Sequence, residues 1–299
     1  MHNSRILTNE FEFFQPADLS ELFDLVSDTG VETQLMAGGT DVLPQMKEGR
    51  KSPQRLISTM KVKELDFVTL EGNYITIGAT AKLKAIAAFC KDIPSVDALY
   101  DGVSAVGKIQ ILNMATIAGN ICTASPAADP VPPMLAMDAS LTLQSRNSQR
   151  DIALKDFLLG PGRTALRPEE IVYKVNIPMP QSGTGSEFKK LERVSADIAK
   201  INMAVVVIRK GNICQSCKVA VGSCGPTTLL LSGPDKILGG KEITDLEGEL
   251  IREAGASVSD EITPIDDIRS SAEYRRKVAS VIFMDSFKVA WARAEGEAL

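Results

Sequence analysis

Gln34-Leu35-Met36-Ala37-Gly38-Gly39-Thr40-Asp41 is the stretch on which the reading of this chain turns. Its first residues make a short, mostly apolar run, read as a buried strand, which passes straight into two glycines. Small residues at a strand end let backbone N–H groups approach an anion that a larger side chain would push away. Thr40 adds a hydroxyl, and a short helix from Val42 to Met46 would set the positive end of its dipole behind the loop. The same residues also suit a tight strand-to-helix turn with no ligand, so this loop alone leaves both readings open. It is neither the G-x-G-x-x-G dinucleotide fingerprint nor the G-x-x-x-x-G-K-[ST] phosphate loop.

A second run settles more. Thr116-Ile117-Ala118-Gly119-Asn120 continues as Ile121-Cys122-Thr123-Ala124-Ser125-Pro126-Ala127-Ala128-Asp129-Pro130, small side chains with a polar group at almost every other place. Thr116, Asn120, Thr123 and Ser125 are candidates to bond ribityl or phosphate oxygens. Asp129 suits a ribose hydroxyl, as an acidic residue does in other dinucleotide sites. A packed small-residue helix junction is the alternative. Two such loops in an α/β pattern point to a long ligand whose diphosphate is gripped from two sides.

Around the loops the punctuation is clear. Phe11-Glu12-Phe13-Phe14 reads as a strand closed by Pro16, and Asp18 with Glu21 caps a helix carrying Leu19, Leu22, Phe23, Leu25 and Val26. A strand over residues 55–58 completes a small α/β module. Glu71-Gly72-Asn73 is a hairpin turn between strands at 66–70 and 74–78. Helices at 83–90, 96–106 and 128–137 and strands at 140–144, 150–153 and 170–177 follow. Pro178 to Ser186 is the clearest linker. Beyond it, strands at 188–193, 203–209 and 217–221 precede helices at 226–231, 246–258 and 272–294.

Composition narrows the function. Hydrophobic residues at 44% and charged residues at 24% fit a soluble globular chain, and 299 residues are enough for more than one domain. A formal net charge of −5, with basic residues spread along the chain, argues against nucleic acid or an anionic membrane as partner. No segment has the apolar length of a signal peptide core or a membrane span, so a cytoplasmic protein is expected. The single histidine is His2, which argues against hydrolases and dehydrogenases with a histidine base and against zinc sites built on histidine. Five cysteines are too few and too irregularly spaced for a disulfide scaffold. Cys214-Gln215-Ser216-Cys217 invites a metal or redox reading, but in a hairpin strand the two thiols would point to opposite faces unless a bulge intervened. No metal site is expected.

Taken with Phe188-Lys189-Lys190-Leu191-Glu192-Arg193-Val194-Ser195-Ala196-Asp197-Ile198-Ala199 and Ser271-Ala272-Glu273-Tyr274-Arg275-Arg276, the two loops resemble the FAD-binding medium subunit of the molybdenum hydroxylases. That is the CO dehydrogenase, nicotinate dehydrogenase and xanthine dehydrogenase group. The likeness runs from about Phe11 to Ile282 with the motifs in the expected order. It implies an α+β FAD-binding fold: two N-terminal α/β subdomains at 1–60 and 61–179, and a C-terminal domain at 180–299 with a three-stranded antiparallel sheet and a helical bundle. FAD would lie extended between them.

Carried over by position, Leu35, Met36, Ala37, Gly38, Gly39, Thr40, Asp41 and Val42 would wrap the diphosphate, and Thr116, Ala118, Gly119, Asn120 and Thr123 would continue the grip. Asp129 would hold a hydroxyl and Val172 would make an apolar contact. Lys189 would reach the flavin region and Ile198 would stand near the isoalloxazine face. A solvated strand face is the alternative for Lys189, Lys190 and Arg193. Ala118 departs from the common Thr-Ile-Gly-Gly-Asn form, adding one methyl group beside the diphosphate.

The resemblance further implies an electron-transfer subunit with no catalytic side chain of its own. A molybdenum cofactor would sit on a large partner and two 2Fe–2S clusters on a small one, in a dimer of heterotrimers. NAD+ or another acceptor would take the electrons. The alternatives are a flavin-free accessory or assembly protein and a stand-alone flavin oxidoreductase. The Ser271 to Arg276 motif reads as a helix start capped by Ser270 or Ser271, with a structural role.

Overall fold

The computed structural model describes residue 7 and residues 10–295; His2 lies outside the described residues. The chain opens with strand β1 (Glu12–Phe14), helix α1 (Leu19–Val26), β2 (Thr33–Met36), α2 (Val42–Lys47) and β3 (Arg55–Ser58). The three strands form a parallel sheet in the order β1-β3-β2. Asp18 caps α1 by accepting from Glu21 N–H at 2.9 Å, and Glu21 reaches back to Ala17 N–H at 2.9 Å. This is the capping arrangement expected from the sequence, closed one residue further back.

Next come β4 (Val68–Glu71), β5 (Tyr74–Gly78), α3 (Leu83–Cys90), α4 (Asp97–Ser104), α5 (Ile109–Leu112), α6 (Ile117–Thr123) and α7 (Val131–Ala136). They are followed by β6 (Ser140–Gln144), β7 (Gln149–Ala153), α8 (Leu154–Phe157), β8 (Leu158–Gly160), β9 (Arg163–Thr164) and β10 (Ile171–Pro178). Five of these strands build an antiparallel sheet ordered β4-β5-β10-β6-β7. β10 is the central strand, although it is the last in sequence, and its Ile171, Val172, Val175 and Ile177 are all buried.

The remainder holds β11 (Thr184–Leu191), β12 (Ile201–Lys210), β13 (Ile213–Gly222), β14 (Leu229–Leu231), α9 (Gly233–Leu238), β15 (Lys241–Glu242), α10 (Glu249–Glu261) and α11 (Ala272–Arg293). Three long antiparallel strands, β11, β12 and β13, carry the sheet, with the short β14 and β15 both paired to β13. Residues 226–231 are not the helix the sequence predicts; their end is β14, and the helix begins only at Gly233.

This last sheet is buried on both faces, and strand alternation divides its side chains cleanly. Phe188, Ala204, Val206 and Ala220 join one hydrophobic cluster with Ile75, Leu99, Ile117, Leu141 and Val175. Met203, Val205, Val207, Val219 and Val221 join another with Ala254, Val258, Phe283, Phe287 and Trp291 of α10 and α11. The near-continuous apolar run of β12 follows from this double burial.

The cysteine pair is where strand alternation fails. A β-bulge between Ile208 and Arg209 leaves Gln215 unpaired, because Ile208 faces Ser216 and Arg209 faces Cys214. Cys214 and Cys217 therefore both turn into the second cluster and are fully buried. Burial pushes the Cys214 thiol up to about 12 and Cys217 well above its ordinary value, so both are neutral core thiols. Among the described residues no group of three or more His, Cys, Asp or Glu side chains could hold a metal ion. Among the same residues, no helix is long and apolar enough to cross a membrane.

Candidate cofactor-binding site

The loop after β2 is shaped by its neighbours before any ligand is considered. A side chain on Gly38 would put its Cβ 1.8 Å from the Met114 carbonyl oxygen, so only glycine lets this loop lie against residues 114–115. Gly39 sits at φ +71°, in the left-handed region. The consequence is a run of backbone donors with nothing to do. The N–H groups of Gly38, Gly39, Thr40 and Asp41 donate to no acceptor among the described residues. Unpartnered consecutive N–H groups facing a cavity form an anion cradle.

The second loop is built differently. Thr116 caps α6, its hydroxyl accepting from Gly119 N–H at 3.3 Å. Ile117 and Ala118 N–H groups donate to the Ala81 and Ala79 carbonyls, both at 3.2 Å, and Asn120 N–H donates to the Thr116 carbonyl at 3.0 Å. The donors at this helix start are thus committed within the protein, so the loop offers side chains in place of backbone. Asn120 Oδ1 is buried and unpartnered. The Thr123 hydroxyl has its one proton within reach of the Gly119 carbonyl at 2.9 Å and of Asp41 Oδ2 at 3.3 Å, the second of which bridges to the first loop.

Two cavities meet at these loops. One, of about 470 Å³, is lined by Gly38 to Val42, Thr116, Asn120, Thr123, Asp129, Lys190 and Ile198, among others. The other, of about 410 Å³, lies under Ala118, Ile171, Val172 and Pro168. Leu35, Ala37, Gly119 and Cys122 line both. A long ligand crossing the cradle has room at each end.

Of the residues singled out from the sequence, Leu35, Ala37, Gly38, Gly39, Thr40, Asp41, Val42, Thr116, Gly119, Asn120, Thr123, Asp129 and Ile198 line the larger cavity. Ala118 and Val172 line the smaller one. Met36 lines neither. Lys189 is not brought to the site either. It stands opposite Met203 on β11, on the α11 side of the sheet, and pairs with Asp285 at 3.3 Å. The residue that reaches the cavity is Lys190, one position on, because successive strand residues alternate faces. The burial of Phe188 on the same face fixes that parity, and Phe188-x-Lys190 is the signal from which sequence reasoning could have found it.

Lys190 Nζ donates to Asp129 Oδ2 at 2.9 Å and to the Ala105 carbonyl at 3.1 Å, and stands 3.2 Å from Glu192. Asp129 Oδ1 accepts from Asn202 Nδ2 at 2.8 Å. Burial pushes the Asp129 carboxyl up, against the opposing pull of Lys190 and Asn202. Gln34 and Lys51, joined at 2.6 Å, and Val106 also line the larger cavity. No motif in the sequence marks these three.

These observations agree with what the chain resembles. Residues 9–180 match the FAD binding domain in molybdopterin dehydrogenase, and residues 186–290 match the CO dehydrogenase flavoprotein C-terminal domain. The nicotinate dehydrogenase FAD-subunit of Eubacterium barkeri is 32% identical over 285 residues, covering 93% of this chain and 95% of that protein. The carbon monoxide dehydrogenase medium chain of Hydrogenophaga pseudoflava is 29% identical over 95% of this chain and 98% of its own length. A solved structure of carbon monoxide dehydrogenase from the same organism superposes with a TM-score of 0.88 at 27% identity, covering 96% of this chain and 99% of that one. The chain belongs to the FAD-binding medium subunits of the molybdenum hydroxylase family.

Proposed function

We propose that the chain holds one FAD, extended across the two cavities, and serves as the electron-transfer subunit of a cytoplasmic molybdenum hydroxylase complex. The observation that carries this is the run of N–H donors from Gly38 to Asp41, unpartnered among the described residues, which lines the larger cavity beside its junction with the smaller one at Leu35, Ala37, Gly119 and Cys122. A diphosphate is the anion that such a junction suits, because its two ends must leave in opposite directions. In this reading Val172 and Ala118 line the adenine end, while Asp129, Lys190 and Ile198 line the flavin end. When bound, FAD supplies the redox chemistry, taking electrons from 2Fe–2S clusters on a small partner and passing them to NAD+ or another acceptor. A large partner carries the molybdenum cofactor and the substrate. The chain is organised as units 1–60, 61–179 and 180–299, with the cofactor among them.

What this chain contributes is placement and charge. Gly38 to Asp41 bind the diphosphate through backbone donors, and Ile198 shields one face of the flavin end from water. Lys190 is no free charge: paired with Asp129 and close to Glu192, it holds the Asp129 carboxylate at the cavity wall. Lys190→Ala is accordingly expected to weaken FAD binding about tenfold or more, since it also strands the buried Asp129. Lys189→Ala should change it by less than about twofold, as the loss of an exposed ion pair does. Equal losses for the two variants, measured by flavin fluorescence titration, would contradict this assignment.

The direct test is the absorbance spectrum of the purified chain, alone and after addition of FAD, with the released cofactor identified after heating. Oxidised-flavin bands and released FAD, not FMN, are expected. A folded chain that takes up no FAD would overturn the reading in favour of an accessory protein.

A further inference from the structure

Three residues stand in one row across three strands of the C-terminal sheet. Lys190 on β11 faces Asn202 on β12, and Asn202 faces Gly222 on β13. Strand alternation points all three to the face that looks toward the large cavity, where they meet the Ser125 to Asp129 segment. Each of the first two takes one oxygen of the Asp129 carboxylate: Asn202 Nδ2 reaches Oδ1 at 2.8 Å and Lys190 Nζ reaches Oδ2 at 2.9 Å. Gly222 makes room for the Asn202 contact, since a Cβ there would lie 2.1 Å from Asn202 Oδ1 and 3.0 Å from the Pro126 carbonyl. Ser223 N–H, next in the chain, holds that same Pro126 carbonyl at 2.7 Å.

We propose that Asn202, seated over Gly222, is a positioning residue that fixes the Asp129 carboxylate for the cofactor, so that the C-terminal sheet completes a site whose cradle lies in the N-terminal part. The inference rests on the FAD reading above. Asn202 lines neither cavity and is fully buried, so it acts through Asp129 and not on the ligand. A lysine alone would hold the carboxylate at one oxygen and leave it to swing about that contact. A second donor on the other oxygen fixes its plane. The charged groups facing Asp129 are Lys190 of β11 and Glu192 just past its end; β12 contributes the neutral amide. That neutrality matters, because a second cation would swamp the charge of the carboxylate that the ligand is to meet.

The test uses Asn202→Leu, which removes the donor at similar volume, and Gly222→Ala, which displaces Asn202 without removing any donor or acceptor. Two readouts are taken. The Asp129 carboxyl is titrated by carbon-detected NMR in the FAD-free chain, and FAD affinity is measured by fluorescence in the wild-type and Asp129→Asn backgrounds. Asn202→Leu is expected to move the Asp129 titration to higher pH, as loss of a donor to the charged form does. It should weaken FAD binding about tenfold, and less than about twofold in the Asp129→Asn background. Gly222→Ala should shift both readouts in the same direction.

An Asp129 titration unchanged by either variant would overturn the proposal. So would an equal loss of FAD affinity in both backgrounds, which would mark Asn202 as merely structural. If the wild-type chain takes up no FAD, the FAD reading falls and the positioning role for that cofactor falls with it. The titration would then show only whether Asn202 holds Asp129.

Discussion

Replacing Arg275 by leucine is expected to lower the unfolding free energy by about 3–5 kcal/mol, the cost of breaking a buried ion pair from one side. Arg275 is the largest of the fully buried side chains, at 1% exposure. Its guanidinium donates to Asp267 Oδ1 at 2.7 Å and to the Ile265 carbonyl at 2.9 Å. Leucine would leave that carbonyl without its donor and Asp267 with only Arg269 for a cation. The measurement is the urea midpoint of the full chain at constant m-value; a loss below about 1 kcal/mol would contradict the argument.

The same contact predicts a pH dependence. Burial works to raise the Asp267 carboxyl, but Arg275, Arg269 and the N–H groups of Arg269 and Ser270 outweigh it and hold it well below the usual carboxylate range. A folded-state value below the unfolded one gives stability that is present above about pH 4 and is lost as the pH falls further. Wild-type stability should therefore fall more steeply than that of the Arg275→Leu variant below about pH 4.

Arg275 also gives the Ser271 to Arg276 motif a structural purpose. Ser271 caps α11 by accepting from Tyr274 N–H at 3.2 Å, and Arg275, one residue further, anchors the preceding loop. Arg269 of that loop donates to the Ala199 carbonyl at 3.4 Å, next to Ile198 at the cavity. The motif thus reaches the edge of the larger cavity through Asp267 and Arg269.

Much of the fold was legible because local chemistry and global structure agree. The Asp18 cap, the Glu71-Gly72-Asn73 turn and strands β3 and β6 are signalled by their own residues, and they stand where expected. What was not legible depends on partners distant in sequence. The central place of β10, between β5 and β6, follows from long-range pairing that no local pattern encodes. The segment before Gly233 carries Leu229-Leu230-Leu231, a run equally suited to helix or strand, and the open edge of β13 captures it as strand. The inward turn of both Cys214 and Cys217 depends on one unpaired residue, Gln215.

The site shows the same division. Both glycine runs stand out by their small residues, although the second folds as helix α6 (Ile117–Thr123) and not as a loop, and the reason for each glycine is not legible in the sequence. Gly38 is needed for contact with residues 114–115, and the donors freed by that contact make the cradle. The tight turn and a set of backbone donors suited to a phosphate are therefore not exclusive: the same close packing gives both. Lys190 lines the larger cavity and Lys189 does not; a motif match does not give the phase of β11, which is set by its buried face at Phe188.

Gly38→Ala should accordingly cost the chain its cofactor more than its fold. A Cβ at this position would lie 1.8 Å from the Met114 carbonyl oxygen and 2.5 Å from its carbon, both backbone atoms that cannot rotate away. The Met114 to Ala115 side is the less able to yield. Ala115 is buried, its carbonyl accepts from Leu83 N–H at 3.0 Å, and Thr116 beside it caps α6. The loop carrying Gly38 is held less firmly, so it is the part that moves. Its N–H groups are unpartnered among the described residues, and its ties are the Gly39 and Asp41 carbonyls accepting from Leu43 and Gln45 within the same turn and the 3.3 Å contact of Asp41 with Thr123. Overpacking of this kind costs about 1–3 kcal/mol, and a displacement that takes the donors away from the diphosphate would weaken FAD binding by about 30-fold or more. Gly119→Ala gives the graded comparison: its Cβ would meet the Thr116 hydroxyl at 2.9 Å, a group at the end of a side chain, and a smaller loss is expected. FAD affinity and melting temperature measured on both variants decide the matter. A Gly38→Ala chain that binds FAD within about twofold of wild type would show that the cradle is not where the diphosphate rests.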